Sequence, residues 1–217
     1  MKKFNTSGAG SLCAAVLIFA VILLSFPSVP ANAAEDESLD TKGYKYAVTI
    51  EFGPMTFCYD YGKWNVEEMR YKSGDASRNP ASGTVQGYPG WYGFDGTANL
   101  ISVKYTNTNE QDGTTKNQDL SVSLDYRMLT ENDSIADKIS GVSMEFFSDK
   151  ALTTPFAFAD ESSMTFTVRS TSIDSDEKTI LFASLRGVPK DSNGNNYSSD
   201  TFTPIGMLTI RIGTISD

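Results

Sequence analysis

From Tyr44 onward the chain alternates apolar and polar residues with a period of two, a pattern that suits half-buried strands. Tyr44, Tyr46, Val48, Ile50 and Phe52 fall on one face, and Lys45, Thr49 and Glu51 on the other, with Ala47 neutral. A pleated strand puts every second side chain on one side, so this segment has a face to bury and a face to wet. Gly53-Pro54 follows, and Met55, Phe57, Tyr59 and Tyr61 then alternate with Thr56, Cys58, Asp60 and Gly62. A two-residue link with Gly first suits a type II′ turn, so residues 44–61 are expected to form an antiparallel hairpin.

The same period returns at Ile101, Val103 and Tyr105, at Leu120 to Met128, at Val142 to Phe146, at Met164 to Val168 and at Leu208 to Ile212. Residues 179–185 are more continuously apolar and predict a central strand. Turn-forming residues cluster between these segments. Helical signals are few: Asn65 with Glu68 resembles a capping pair, and residues 134–139 could give one turn. The expected fold is therefore all-β, a single antiparallel β-sandwich of immunoglobulin-like or jelly-roll-like type over residues 44–217.

The N-terminus tells where such a domain works. Lys2 and Lys3 precede an apolar run from Leu12 to Phe26, which Pro27 and Pro30 end, and Ala31-Asn32-Ala33 offers a small-x-small cleavage site. Charged start, short apolar run and small-residue site in that order read as a signal peptide over residues 1–33, the rival being a retained anchor. Cleavage leaves 184 residues, 34–217, enough for one core. Residues 34–43 are polar and acidic and are expected to form a flexible leader. The protein is thus expected to be secreted, extracellular or at the cell surface.

Loss of Lys2 and Lys3 lowers the net charge from −9 by two further units to −11. Such acidity disfavours nucleic acid and, in the mature form, membrane partners. Of two cysteines, Cys13 leaves with the signal and Cys58 remains, so no intrachain disulfide forms, while an interchain one stays open. The chain has no histidine, which removes Ser-His-Asp, Cys-His and His-Glu-x-x-His chemistry. No enzyme activity, cofactor or metal is expected.

Gly87-Tyr88-Pro89-Gly90-Trp91-Tyr92-Gly93-Phe94-Asp95-Gly96 is the most unusual segment, with glycine at every third position and rings between. Tyr88, Trp91, Tyr92 and Phe94 could stack on sugar faces while Asp95 and Asn99 bond hydroxyls. Alternatively the rings close one end of the core. Asp191 to Asn195 sets oxygen ligands at alternate positions but lacks the later Gly and Glu of an EF-hand, and reads as a solvated turn or a looser calcium loop. Glu67/Glu68, Asp160/Glu161 and Asp176/Glu177 are adjacent pairs, which point to opposite faces of a strand and do not make a two-carboxylate site. Ser175-Asp176-Glu177-Lys178 matches Ser-x-x-Lys without its companion motifs.

Leu100-Ile101-Ser102-Val103-Lys104-Tyr105-Thr106-Asn107-Thr108-Asn109 looks like the I-x-V-x-N-T strand of bacterial surface immunoglobulin-like domains. With Lys63-Trp64-Asn65 and Trp91, the chain resembles uncharacterised secreted immunoglobulin-like proteins of Gram-positive bacteria. The resemblance covers about half of the mature chain and carries over no catalytic residue. Two roles follow as expectations. One is a structural or adhesive surface protein that associates with itself or another surface protein through strand edges. The other is a glycan-binding module that uses the aromatic segment.

Secreted material is expected to begin at or near Ala34, which N-terminal mass analysis decides. Recovery of intact residues 1–33 in a membrane fraction would overturn the cleavage site.

Overall fold

The computed structural model describes residues 19–24, 44–74, 78–109, 111–115, 119–129, 139–156, 163–199 and 202–214. Every regular element among them is a strand: β1 (Phe19–Leu24), β2 (Tyr44–Phe52), β3 (Cys58–Asp60), β4 (Lys63–Asn65), β5 (Arg70–Lys72), β6 (Gly90–Tyr92), β7 (Leu100–Asn109), β8 (Leu120–Met128), β9 (Ser140–Phe147), β10 (Ser163–Val168), β11 (Ser170–Thr171), β12 (Thr179–Lys190) and β13 (Gly206–Thr214). The fold is all-β, built of mainly antiparallel sheets without a closed barrel. The single helical turn expected at 134–139 lies, but for Ile139, outside the described residues.

One sheet has the order β1-β13-β8-β10. β8 sits between β13 and β10, antiparallel to both. Its burial alternates as its sequence does: Leu120, Val122, Leu124 and Tyr126 are buried, while Ser121, Ser123 and Asp125 are half-exposed. On the polar face Ser123 meets Thr165 across the strands and Asp125 pairs with Arg211. β1 runs parallel to β13, from Phe19 opposite Met207 to Leu24 opposite Ile212, without a register shift. A strand therefore forms inside the segment whose composition reads as a signal peptide.

The second large sheet is organised around β7. β2 runs antiparallel along one edge of it, from Phe52 opposite Ile101 to Tyr44 opposite Asn109. Along the other edge β12 pairs with residues 100–103, and β11 continues in parallel at Tyr105 and Thr106. β12 then passes to β9, so it is central, as its apolar run predicts. Leu181 to Leu185 are all buried, and the one polar residue among them, Ser184, accepts the amide of Ser82 at 3.0 Å.

Residues from both sheets share one core. Val122, Leu124, Leu208 and Ile210 of the first sheet join Ile101, Val103, Phe146, Leu181 and Leu185 of the second, and Tyr126 meets Phe146 edge-on at 6.4 Å. Burial at roughly 25 cal/mol per Å² of apolar surface makes this contact the main stabilising term. Ser102, expected on a wet face, is buried; its hydroxyl donates to Glu51 at 2.9 Å, and Glu51 in turn holds Lys178.

The hairpin expected over 44–61 does not form. β2 pairs with β7, and β3 pairs with β6 instead. Gly53 is needed for close approach and not for a turn, because a Cβ there would lie 2.1 Å from the Thr97 carbonyl oxygen. Gly53 and Met55 donate their amides to Leu100 and Ala98, so the chain leaves β2 still bonded to the strand beside it.

Phe57 and Val122 are fully buried, whereas Phe166, which its strand pattern also places in the core, is partly exposed. Phe57→Ala is expected to cost about 3–5 kcal/mol and Val122→Ala about 2 kcal/mol. Phe166→Ala should cost less than Phe57→Ala, and Asp125→Ala under about 1 kcal/mol, since its pair with Arg211 is solvent-exposed. Chemical denaturation of the four variants checks the ranking.

Candidate functional site

The glycine-spaced segment is a buried strand flanked by turns. Gly87, Gly90, Gly93 and Gly96 all take positive φ, and a Cβ on Gly90 would strike Thr84 at 2.5 Å. Between these bends β6 is held on both sides. Tyr59 lies opposite Trp91 and Cys58 opposite Tyr92 in β3, while Ala81 and Gly93 donate to the Trp91 and Asn79 carbonyls on the other side.

Adjacent strand residues point to opposite faces, and here both faces are covered. Trp91, only 1% exposed, packs edge-on to Tyr59 at 5.1 Å and donates its indole N–H to the Gly187 carbonyl at 2.9 Å. Tyr92 is fully buried and its hydroxyl bonds the Tyr88 carbonyl. Phe94 stacks flat on Phe57, with centroids 4.2 Å apart. Buried polar tips need partners, and backbone carbonyls supply them. Of the five residues singled out in this segment, Trp91, Tyr92 and Phe94 thus face inward, and Tyr88 and Asp95 reach solvent.

Asp95 and Asn99 are occupied locally. Asp95 accepts the amides of Thr97 and Ala98, both at 2.7 Å, and these bonds hold its carboxyl below the usual range. Asn99 is fully buried, accepts from Gly96 and donates to the Ala183 carbonyl at 2.8 Å. Both residues fix the end of the aromatic segment against β7 and β12. Tyr61 does the same on the other side, its hydroxyl within 2.7 Å of the Pro189 carbonyl and 2.9 Å of that of Tyr197. Burial, with the neighbouring Tyr59, pushes the Tyr61 phenol up to about 12.

Apart from Tyr88, the exposed rings of this region lie outside the segment. β4 and β5 pair as a separate ribbon, with Trp64 opposite Tyr71 and Asn65 opposite Arg70. Trp64 is 52% exposed and meets Tyr71 edge-on at 5.3 Å, and Val66 and Met69 at the tip are more exposed still. The capping pair seen in the sequence does form, because Asn65 accepts the Glu68 amide at 2.8 Å, but it closes a hairpin turn and not a helix. On the opposite face Glu68 pairs with Arg70 and Lys72, and the Arg70 guanidinium lies 4.6 Å above the Tyr88 ring. Asp60 braces the base: it accepts from Gly62 on one leg and from Ser73 and Gly74 on the other. The signal for this ribbon was the mirrored order Lys-Trp-Asn and Arg-Tyr-Lys about Val66 to Met69.

The remaining candidates are structural in arrangement. Asp191 accepts the amides of Asn193 and Asn195 and closes its own turn. Cys58 is buried and receives the Arg78 guanidinium at 2.8 Å, so its thiol does not sit at the surface as an interchain disulfide requires. Ser175 accepts the Glu177 amide, and Lys178 reaches to Glu51, away from a nucleophile–base geometry. Among the described residues no three Cys, Asp or Glu side chains converge as metal ligands. A shallow cleft of about 220 Å³ lies between Arg169, Glu177 and Lys178. Compared with protein-family models, with curated proteins and with solved structures, the chain matches none.

Trp91→Ala is expected to destabilise the fold by about 3–5 kcal/mol, because it empties a closed site and leaves the Gly187 carbonyl without its donor. A melting curve of the variant decides this. A phenol whose value is raised on folding stabilises the fold below its ordinary value of 10.0, and that contribution is lost as pH rises towards about 12. Tyr61→Phe should therefore lose less stability than the wild type between those values. Tyr59 and Tyr126 are raised too, so the difference between the two proteins is the quantity to measure.

Proposed function

We propose that this chain is a secreted or cell-surface β-sandwich protein with a structural or adhesive role, self-associating in the extracellular matrix, its signal peptide removed after Ala33. The single core shared by two sheets supports the sandwich. The role rests on one observation: the braced ribbon β4–β5 holds Trp64, Val66, Met69 and Tyr71 in solvent, while Trp91, Tyr92 and Phe94 beside it pack inward. Large apolar side chains grouped at the surface lose stability alone and gain it when covered, which is the mark of a contact surface. Trp and Tyr are also the residues that dominate binding energy at such contacts.

A glycan-binding role is the second reading. It is favoured by Trp64, Tyr71 and Tyr88, which are exposed rings, with Arg70 and Asn65 as nearby donors. The aliphatic tip argues for the first, because Val66 and Met69 offer a sugar neither a stacking face nor a hydrogen bond.

The mature chain, residues 34–217, is expected to bind a film of itself, and Trp64→Ala/Tyr71→Ala should abolish that binding while the melting temperature stays close to that of the wild type. Binding to insoluble cell-wall polysaccharide, and not to the film, would replace the first reading with the second. Binding to neither would overturn both.

A further inference from the structure

β13 is nine residues long, contains no proline and keeps perfect register with β8 over its whole length. Its second edge carries β1, which lies parallel to it from Met207 to Ile212. An edge that accepts a strand over six consecutive residues has its row of backbone donors and acceptors straight and unobstructed. The other long edges are less open. The β9 edge is met by the returning chain, where Phe147 bridges Pro155 and Phe156 donates to Phe146. β2 carries two charged residues, Lys45 and Glu51, against the single charge of β13.

We infer that the β13 edge is a second self-association surface of the mature protein, one that closes a dimer, and that a second copy of the same edge takes the place of β1 once residues 1–33 are removed. This rests on the secreted, self-associating reading above. The leader at 34–43 is too acidic and too poor in apolar residues to replace the sequence Phe-Ala-Val-Ile-Leu-Leu. The edge itself is self-complementary. Its inward side carries Leu208, Ile210 and Ile212, all buried, and its outward side carries Met207, Thr209 and a single charge, Arg211.

Two such strands meeting antiparallel about a two-fold axis keep like faces together when the axis passes through a residue. With the axis at Thr209, Leu208 faces Ile210 of the second copy and Arg211 faces Met207. With the axis at Ile210, Leu208 faces Ile212 and Arg211 faces Thr209. Both registers extend the apolar face and keep the two guanidiniums apart. An axis at Arg211 would set like charges directly opposite and is disfavoured. Arg211 is already paired with Asp125, which further lowers its cost at the junction.

The test uses the mature chain, residues 34–217. Sedimentation should give a monomer–dimer equilibrium, and hydrogen exchange on the unaltered protein should show β13 amides gaining protection as concentration rises, with β2, β9 and β10 unchanged. In a Cys58→Ser background, Thr209→Cys should be joined by a short bismaleimide, Thr165→Cys on the far edge should not, and a lysine-flanked peptide of residues 19–24 should suppress the link. Dimers whose protection rises on β2, β9 or β10 would overturn the edge and leave self-association standing. A monomer at every concentration would overturn the edge as well; film binding lost with Trp64 and Tyr71 would then still support the adhesive role.

Discussion

The indole of Trp91 is the point on which the surface of this protein depends. Its N–H reaches the Gly187 carbonyl, where β12 lies opposite Val142 of β9 just before the register of that pair shifts, and its ring packs on Tyr59 of β3. That one side chain ties the small β3–β6 pair to the large sheet. Tyr92 on the opposite face seals the pair from the other side, so β6 is buried on both. With those rings used as filling, Asp60 at the end of β3 is placed to clamp both legs of the next ribbon. The exposed Trp64 and Tyr71 thus stand on a base that the buried Trp91 holds in position.

Strand positions were legible wherever one face is dry and one is wet. β2, β8 and β13 alternate in burial as they do in sequence, because each has a solvated face. β12 was legible for the opposite reason, since a strand buried between neighbours reads as a continuous apolar run. Pairing was not legible. Gly53-Pro54 has the composition of a hairpin link, and nothing in residues 44–61 says that Leu100 and Ala98 will take the amides of Gly53 and Met55. A turn signal is local, and the partner of β2 lies some fifty residues away, in β7.

The aromatic segment left two readings open, stacking platform or core plug, for a related reason. Glycine at every third position announces bends, which is correct, since all four take positive φ. Whether rings between bends face in or out depends on what lies across from them. Phe57, Tyr59 and the carbonyl of Gly187 supply an interior, and no pattern within residues 87–96 reports them. The ribbon beside it shows the converse. Lys63 to Lys72 has no clear period, because none of its residues is buried and neither face is dry, yet its mirrored ends pair as strands.

A strongly acidic protein repels copies of itself, so contacts between copies must be short-ranged and must avoid adding charge. The two surfaces proposed for association meet that condition in different ways. On β13 the only charge, Arg211, is already neutralised by Asp125, and the rest is backbone, apolar side chain and the uncharged Thr209 and Thr214. On the ribbon, Glu68 is held between Arg70 and Lys72 on one face, and the other face and the tip present Trp64, Tyr71, Val66 and Met69. Neither surface alone builds a matrix. A two-fold pairing through β13 satisfies its own edge and closes at a dimer. Extension beyond the dimer needs a second, different contact, and a dimer would carry two ribbons, one from each copy, to make it.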